Sequence, residues 1–69
     1  MSSIYKVIEI IGGSDKSWED AAKKAVETAA KSLKDIRIAE VKELDMRVDK
    51  NKVVEYRVKM RVSFKYTPG

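Results

Sequence analysis

The last part of the chain alternates strictly between apolar and polar positions. In the stretch VEYRVKMRVSFKY, residues 54–66, the apolar side chains fall on even numbers and the polar ones on odd numbers. This two-residue period predicts a β-strand over residues 53–66 with one apolar and one charged face. At about 3.3 Å per residue the strand would be on the order of 45 Å long, which is unusual in so short a chain.

Two further strands and one helix are predicted before it. Residues 4–11 are rich in β-branched side chains and contain only Lys6 and Glu9 as charges, so they predict a first strand whose two faces are both largely apolar. Residues 12–15, GGSD, are expected to break it. A second strand is predicted over residues 36–48, followed by a polar turn at 49–52 and a tail at 67–69.

The helix between the first two strands is marked by its cap and its periodicity. Ser17 is a suitable N-cap, with Ser14 as the alternative, and acidic residues fill the first turn. Apolar residues then recur at helical spacing of three and four, and they predict a helix that ends near Leu33. These residues are Trp18, Ala22, Ala25, Val26, Ala29 and Leu33.

The predicted order β-α-β-β indicates an α+β fold in one domain, residues 1–69. Strands two and three form an antiparallel hairpin, and the simplest sheet places strand three in the centre, in the order 1-3-2. A helix of about 17 residues spans only roughly 25 Å, so the apolar strand ends, Phe64 and Tyr66 or Val54 and Tyr56, should overhang it. Apolar strand ends that no helix covers predict contact with neighbouring subunits.

The face of the sheet turned away from the helix is expected to be mixed. If Ala39 and Val41 face the helix, the opposite parity of strand two shares the outer face with the charged side of strand three. The strand-two residues expected there are Ile38, Glu40, Lys42, Leu44 and Met46, beside Arg57, Lys59 and Arg61. Such a mixture of apolar and ionic side chains indicates a surface that contacts a ligand or another protein.

Composition narrows the classes of function. The 69 residues include no Cys and no His, which excludes disulfides and argues against structural zinc, so a domain this small is expected to gain stability by self-association. A net charge of +4 permits a phosphate-bearing ligand without requiring one. No apolar run is long enough for a membrane span and no signal-peptide pattern is present, so we expect a cytoplasmic protein.

These features together resemble the dodecin family. The resemblance lies in YKVIEIIGGS, the Ala-rich helix, IAEVKEL and VEYRVKMRVSF, and it covers nearly the whole chain. It implies three antiparallel strands half-wrapping one helix, twelve subunits in a hollow shell, and non-catalytic storage of flavin between subunits. The resemblance therefore predicts a homo-oligomer that binds a small-molecule ligand.

The resemblance also assigns pocket positions, and their chemistry departs from that of flavin binders. Ile38 stands where the family typically has a flavin-stacking Trp, and Arg57 where it has a Gln that hydrogen-bonds the ring. Asp45 replaces a basic residue, while Lys65 keeps a positive charge. Ile cannot provide an aromatic platform, and Arg carries donors only, so flavin binding is expected to be weak or replaced by another ligand.

The same departures resemble a calcium-binding branch of the family, so calcium is a second candidate ligand, with acids such as Glu43, Asp45 or Asp49 gathered from several subunits. An assembly with an empty pocket is the third candidate. A nucleic-acid binder is disfavoured because the aromatics of strand three lie on the helix side. Catalysis is disfavoured because the chain has no nucleophile-base pattern and no phosphate loop.

Overall fold

A computed structural model describes residues 3–66 and shows the predicted order of strand, helix, strand, strand. The elements are β1 (Tyr5–Ser14), α1 (Trp18–Ala29), β2 (Ile36–Asp49) and β3 (Lys52–Lys65). The strands form one antiparallel sheet in the order β1-β3-β2, which confirms the predicted topology. The tail predicted at residues 67–69 lies outside the described part of the chain.

The core lies between the helix and the centre of β3. Val58, Met60 and Val62 are buried, together with Ala21 of α1. Half-buried apolar residues, Ile10, Trp18, Ala22, Ala25 and Val26, pack around them. The even-numbered side of β3 therefore faces α1, as the alternation predicted, because only that side carries apolar side chains throughout.

The first strand does not end at the glycines, contrary to expectation. β1 continues through Gly12, Gly13 and Ser14, which pair with Val58, Arg57 and Tyr56 of β3. A Cβ on Gly12 would lie 2.6 Å from the carbonyl oxygen of Ala21 and 2.7 Å from the Ala25 Cβ. Gly12 therefore serves a close approach of helix and strand, and it does not break the strand.

The helix begins where the cap predicted and ends earlier than expected. Ser17 is the N-cap, and its hydroxyl accepts from the Asp20 amide at 3.0 Å. Ser14 is not the cap; its hydroxyl donates to the Asp20 carboxylate at 2.6 Å. The prediction of an end near Leu33 was wrong, because α1 ends at Ala29 and turns follow it. In these turns the amides of Lys31 and Ser32 donate to carbonyls three residues back, and the amide of Leu33 donates to that of Ala29.

A β-bulge in β2 overturns part of the predicted outer face. The pairing with β3 shifts between Val41 and Glu43, so the side chains after Lys42 change faces. Leu44 pairs with Val58 and Met46 with Tyr56, which places both on the helix side and not on the outer face as predicted. Before the bulge, Ala39 and Val41 face α1 and Ile38 and Glu40 face outward, as expected.

The hairpin between β2 and β3 closes through a tight turn. Asp49 pairs with Lys52, so only Lys50 and Asn51 form the loop. Both have left-handed backbone angles, with φ of 52° and 63°. Two consecutive residues with positive φ are typical of the type I′ turn, whose twist matches that of the flanking strands.

The helix covers only part of the sheet, as the mismatch in length predicted. Its 12 residues span about 18 Å, whereas the molecule is 53 Å long. Apolar side chains of the hairpin, including Leu44, Val48 and Val53, are therefore exposed. Among residues 3–66, no helix has the length and apolar character needed to span a membrane.

Candidate functional site

The candidate site is the outer face, the side of the sheet that points away from α1. The continuous register between β1 and β3 puts the odd-numbered residues of both strands on this face. Because of the bulge, β2 contributes even-numbered residues to the outer face before Lys42 and odd-numbered residues after it. The β2 residues on the outer face are Ile38 and Glu40 before the bulge and Glu43, Asp45 and Arg47 after it.

Most charges of the outer face are joined in ion pairs across the strands. Arg57 and Asp45 form the tightest pair, with Nε to Oδ1 at 2.7 Å and Nη2 to Oδ2 at 2.8 Å. The other cross-strand pairs are Arg47 with Glu55 at 3.2 Å, Arg61 with Glu9 at 3.6 Å and Lys59 with Glu43 at 3.7 Å. Each exposed pair contributes little to stability alone, but together they fix the orientation of the side chains.

The Asp45–Arg57 pair also perturbs the titration of both groups. The hydrogen bond from Arg57, aided by its charge, lowers the pKa of Asp45 below its ordinary range. The same hydrogen bond and the Asp45 charge raise the pKa of Arg57. Both groups therefore stay charged across the neutral range, and the two acceptor oxygens of Asp45 are occupied by one guanidinium.

Asp45 is connected to the helix side as well. The indole Nε1 of Trp18 donates to the Asp45 carbonyl oxygen at 3.0 Å. The Trp18 ring meets Tyr56 edge to face, with 5.2 Å between ring centroids. Trp18 is thus a packing residue, and it also anchors the start of α1 to β2.

Of the four predicted pocket positions, the structure brings Asp45 and Arg57 into contact and leaves Ile38 and Lys65 apart from them. Asp45 and Arg57 are in contact near the middle of β3, beside a groove of about 210 Å³ that Ile11, Glu43 and Lys59 also line. Ile38 lies opposite Ser63 near the end of β3, one step along the face from Lys65. Arg57 and Ser63, which lie opposite Asp45 and Ile38, are six positions apart along β3, on the order of 20 Å.

Ile38 and Arg57 share the outer face, as predicted, but they cannot contact the same small ligand within one chain. Ile38 is 65% exposed and lines a separate groove of about 370 Å³ with Tyr5, Arg37 and Ser63. A pocket that used both positions would have to be completed by a second chain. The predicted pocket itself stays a prediction.

The acids proposed for calcium do not form a metal site in one chain. Among residues 3–66, no group of three or more acidic side chains is placed to hold a metal ion. Glu43 lies near Lys59, Asp45 is held by Arg57, and Asp49 is opposite Lys52 in the hairpin. Since calcium prefers six to eight oxygen ligands, a single chain does not supply a complete site.

Sequence reasoning missed the partners of Arg57 and Arg47. The expected parity put Leu44 and Met46 on the outer face, so the pairs of these arginines with Asp45 and Glu55 could not be anticipated. Glu40 lies opposite Arg61 as expected, yet its ion pair is with Lys42 at 3.9 Å. The sequence did contain one signal of these ion pairs: charged residues of both signs recur along the two hairpin strands.

Comparison with known proteins decides the family. A family model described as Dodecin matches residues 4–67. The chain belongs to the dodecin family. This confirms the resemblance drawn from the sequence, and the β-α-β-β order with its central third strand agrees with it.

Two relatives match along nearly the whole chain. Calcium dodecin from Mycobacterium tuberculosis is 54% identical over 67 residues, covering 97% of this chain and 94% of that protein. Dodecin from Thermus thermophilus is 34% identical over 65 residues, covering 94% of each. The higher identity to calcium dodecin agrees with the branch that the sequence resembled.

Solved dodecin structures superpose closely. The crystal structure of the Mycobacterium tuberculosis calcium dodecin, described as a calcium-chelating antigen with a novel calcium-binding site, matches with a TM-score of 0.86 and covers 97% of this chain and 96% of that one. Dodecin from Streptomyces davaonensis, at 22% identity, gives a TM-score of 0.92 and covers 99% of this chain and all of that one. The latter likeness supports the fold alone.

Proposed function

We propose that this chain forms a homododecameric shell of the dodecin type that binds a small ligand between subunits and catalyses no reaction. The observation that carries the proposal is the incomplete cover of the sheet. Apolar side chains are exposed on both of its faces, Leu44 and Val48 on the helix side and Ile11 and Ile38 on the outer face.

The energetics of a single chain favour assembly. The described hydrophobic core consists of Ala21, Val58, Met60 and Val62, which is small for 69 residues. Burial contributes about 25 cal/mol per Å² of apolar surface, while ordering the chain costs roughly 1.5 kcal/mol per residue. Neighbouring copies that cover the exposed apolar residues would supply the missing burial.

The absence of catalysis is supported by the chemistry of the outer face. The chain has no His and no Cys. Asp45, the outer-face carboxylate with a perturbed pKa, titrates lower than usual, whereas a general base at neutral pH needs a raised value. The surface is suited to binding and not to proton transfer.

Flavin is a poor candidate for the ligand. Ile38 offers an exposed aliphatic side chain where stacking needs an aromatic ring. Arg57 cannot accept a hydrogen bond from a flavin N–H, and two of its nitrogens already donate to Asp45.

Calcium is the better candidate, and the identity to calcium dodecin favours it. Because one chain supplies no group of three acids within the described residues, a calcium site would combine carboxylates of several chains. Calcium binding should therefore depend on assembly. Asp45 already accepts two hydrogen bonds from Arg57, so a metal ion would compete with that guanidinium for its oxygens.

The shell is tested by native mass spectrometry and light scattering on untagged protein. The expected mass is twelve times the 7.9 kDa of one chain. A stable, folded monomer at micromolar concentration would overturn the proposal, because the exposed apolar faces would then need no cover.

The ligand is tested by calorimetric titration of the assembled protein with calcium, with magnesium as the matched control and riboflavin as the third arm. We expect heat with calcium, a weak response to magnesium and no quenching of riboflavin fluorescence. Ile38→Trp combined with Arg57→Gln should raise riboflavin affinity. Tight riboflavin binding by the unsubstituted protein would contradict the pocket assignment.

A further inference from the structure

The helix side of the molecule carries two apolar features that do not contact each other. One is the groove, the channel between α1 and β2 that is left open because α1 packs on β1 and β3 and barely touches β2. It has a volume of about 510 Å³ and an apolar floor of Ala22, Val26, Ala39, Val41 and Met60. A smaller apolar recess beside Trp18 and Leu44 shares Ala22 and Val41 with it.

The other feature is the arm, the end of the hairpin beyond the Trp18–Tyr56 contact, residues 46–54. Its helix-side apolar residues have no helix above them: Met46 is 45% exposed and Val48 58%. A second register shift, between Arg47 and Val48, pairs Val53 with Val48 on this side, where Val53 is 47% exposed. The arm extends away from the groove along the strands, so it cannot fold back onto the groove of its own chain.

We propose that the arm of one copy of this chain lies in the groove of a second copy, an inference that rests on the proposed function and names the contact between subunits. The arm supplies aliphatic side chains, and the groove supplies an apolar floor on which they can pack. Packing the arm into the groove would bury both exposed apolar features of the helix side in one contact.

The charges around the two features favour this partner. The outer rim of the groove carries Glu19, Lys23 and Glu27, with acid in excess. The arm's tip carries Asp49, Lys50 and Lys52, with base in excess, since Arg47 is neutralised by Glu55. Opposite net charge attracts the tip to the rim, whereas two tips would repel each other.

The contact also has the right symmetry for a closed assembly. Arm and groove are different surfaces, so their contact is heterologous and each copy both offers an arm and receives one. Such contacts close into a ring when the rotation between copies permits it. Paired tips, by contrast, would join two copies and leave every groove open.

The absence of Cys from the chain allows a direct test. Two differently tagged copies, one with Lys23→Cys at the groove and one with Val48→Cys on the arm, are co-expressed and treated with a short thiol cross-linker. We expect the mixed-tag dimer as the main product. Ser63→Cys, on the outer face of β3, replaces Val48→Cys as the control and should give only background linking.

The outcomes separate this inference from the proposed function. Background linking of Lys23→Cys with Val48→Cys in a particle of dodecameric mass would overturn the arm contact and leave the shell intact. Linking between two Val48→Cys copies would also overturn it, in favour of paired tips. A monomer would overturn both. Met46→Cys, on the same side of the arm, repeats the test if Val48→Cys fails to fold.

Discussion

Gly12 and Gly13 are adjacent glycines in β1 whose substitution by alanine should affect stability to very different extents. Gly12 faces α1, and a Cβ there would meet the Ala21 carbonyl oxygen and the Ala25 Cβ at 2.6 and 2.7 Å. Gly13 faces outward, and the atoms nearest to its Cβ would all belong to the side chain of Glu55. Gly12→Ala is therefore expected to destabilise the fold, and Gly13→Ala serves as the matched control.

The size of each change in the free energy of unfolding depends on whether the atoms near the new Cβ can move away. A backbone carbonyl and a helix cannot yield locally, so Gly12→Ala should carry the overpacking penalty of about 1–3 kcal/mol. The reduced freedom of the unfolded chain offsets about 0.4–1 kcal/mol of it. In Gly13→Ala the Glu55 carboxylate can rotate away, and the loss of its exposed pair with Arg47 costs at most about 1 kcal/mol. The control should therefore unfold with nearly unchanged free energy.

Denaturant unfolding followed by circular dichroism measures both variants against the parent protein. Protein concentration must be held constant, because the stability of an oligomer depends on it. We expect the net loss in Gly12→Ala to lower the melting temperature by several degrees in a parallel thermal scan. If Gly12→Ala were as stable as the parent while Gly13→Ala lost stability, the assignment of the two faces of β1 would be wrong.

Three further predictions concern single contacts. Trp18→Phe should lower the free energy of unfolding by about 0.5–1.5 kcal/mol in denaturant titrations, because it keeps a ring but loses the hydrogen bond to the Asp45 carbonyl; no loss would show that this bond is not needed. Because Arg57 lowers the pKa of Asp45 in the folded state, their pair stabilises the fold above about pH 4 and the contribution disappears as the pH falls through the lower folded value. Asp45→Asn should accordingly lose less stability than the parent on acidification, and an unchanged acid profile would contradict this. Asn51→Val should cost about 1–2 kcal/mol at a φ of 63°, while Asn51→Gly should not, as thermal unfolding would show; equal effects would refute the turn assignment.

The elements that could be predicted from the sequence are those whose pattern has one interpretation. From Val54 to its end β3 alternates without exception, so its length, its buried side and its central place followed directly. Ser17 was the better of two caps, because acids follow it and the apolar period starts there. The end of α1 could not be predicted, since Ala30 to Leu33 continues a helical pattern and the turns that replace it depend on the path into β2.

The bulge in β2 explains most of what was missed at the candidate site. Both parities of residues 38–46 contain apolar and charged side chains, so no pattern marks the point where the faces exchange. The family resemblance named Asp45 and Arg57 as two of four pocket positions but did not pair them, and the shift at Lys42 is what brings them into contact. Alternation of apolar and polar residues does not reveal an extra residue in a strand.

The position of that bulge has a consequence for solubility. β2 is a border of the sheet, and its unpaired backbone groups could serve as a template on which further strands add without limit. The extra residue at Lys42 bends this border near its middle and places a lysine there, so that no long straight segment is offered to an incoming strand. Released chains should thus tend to recombine in finite particles and resist growth into fibrils.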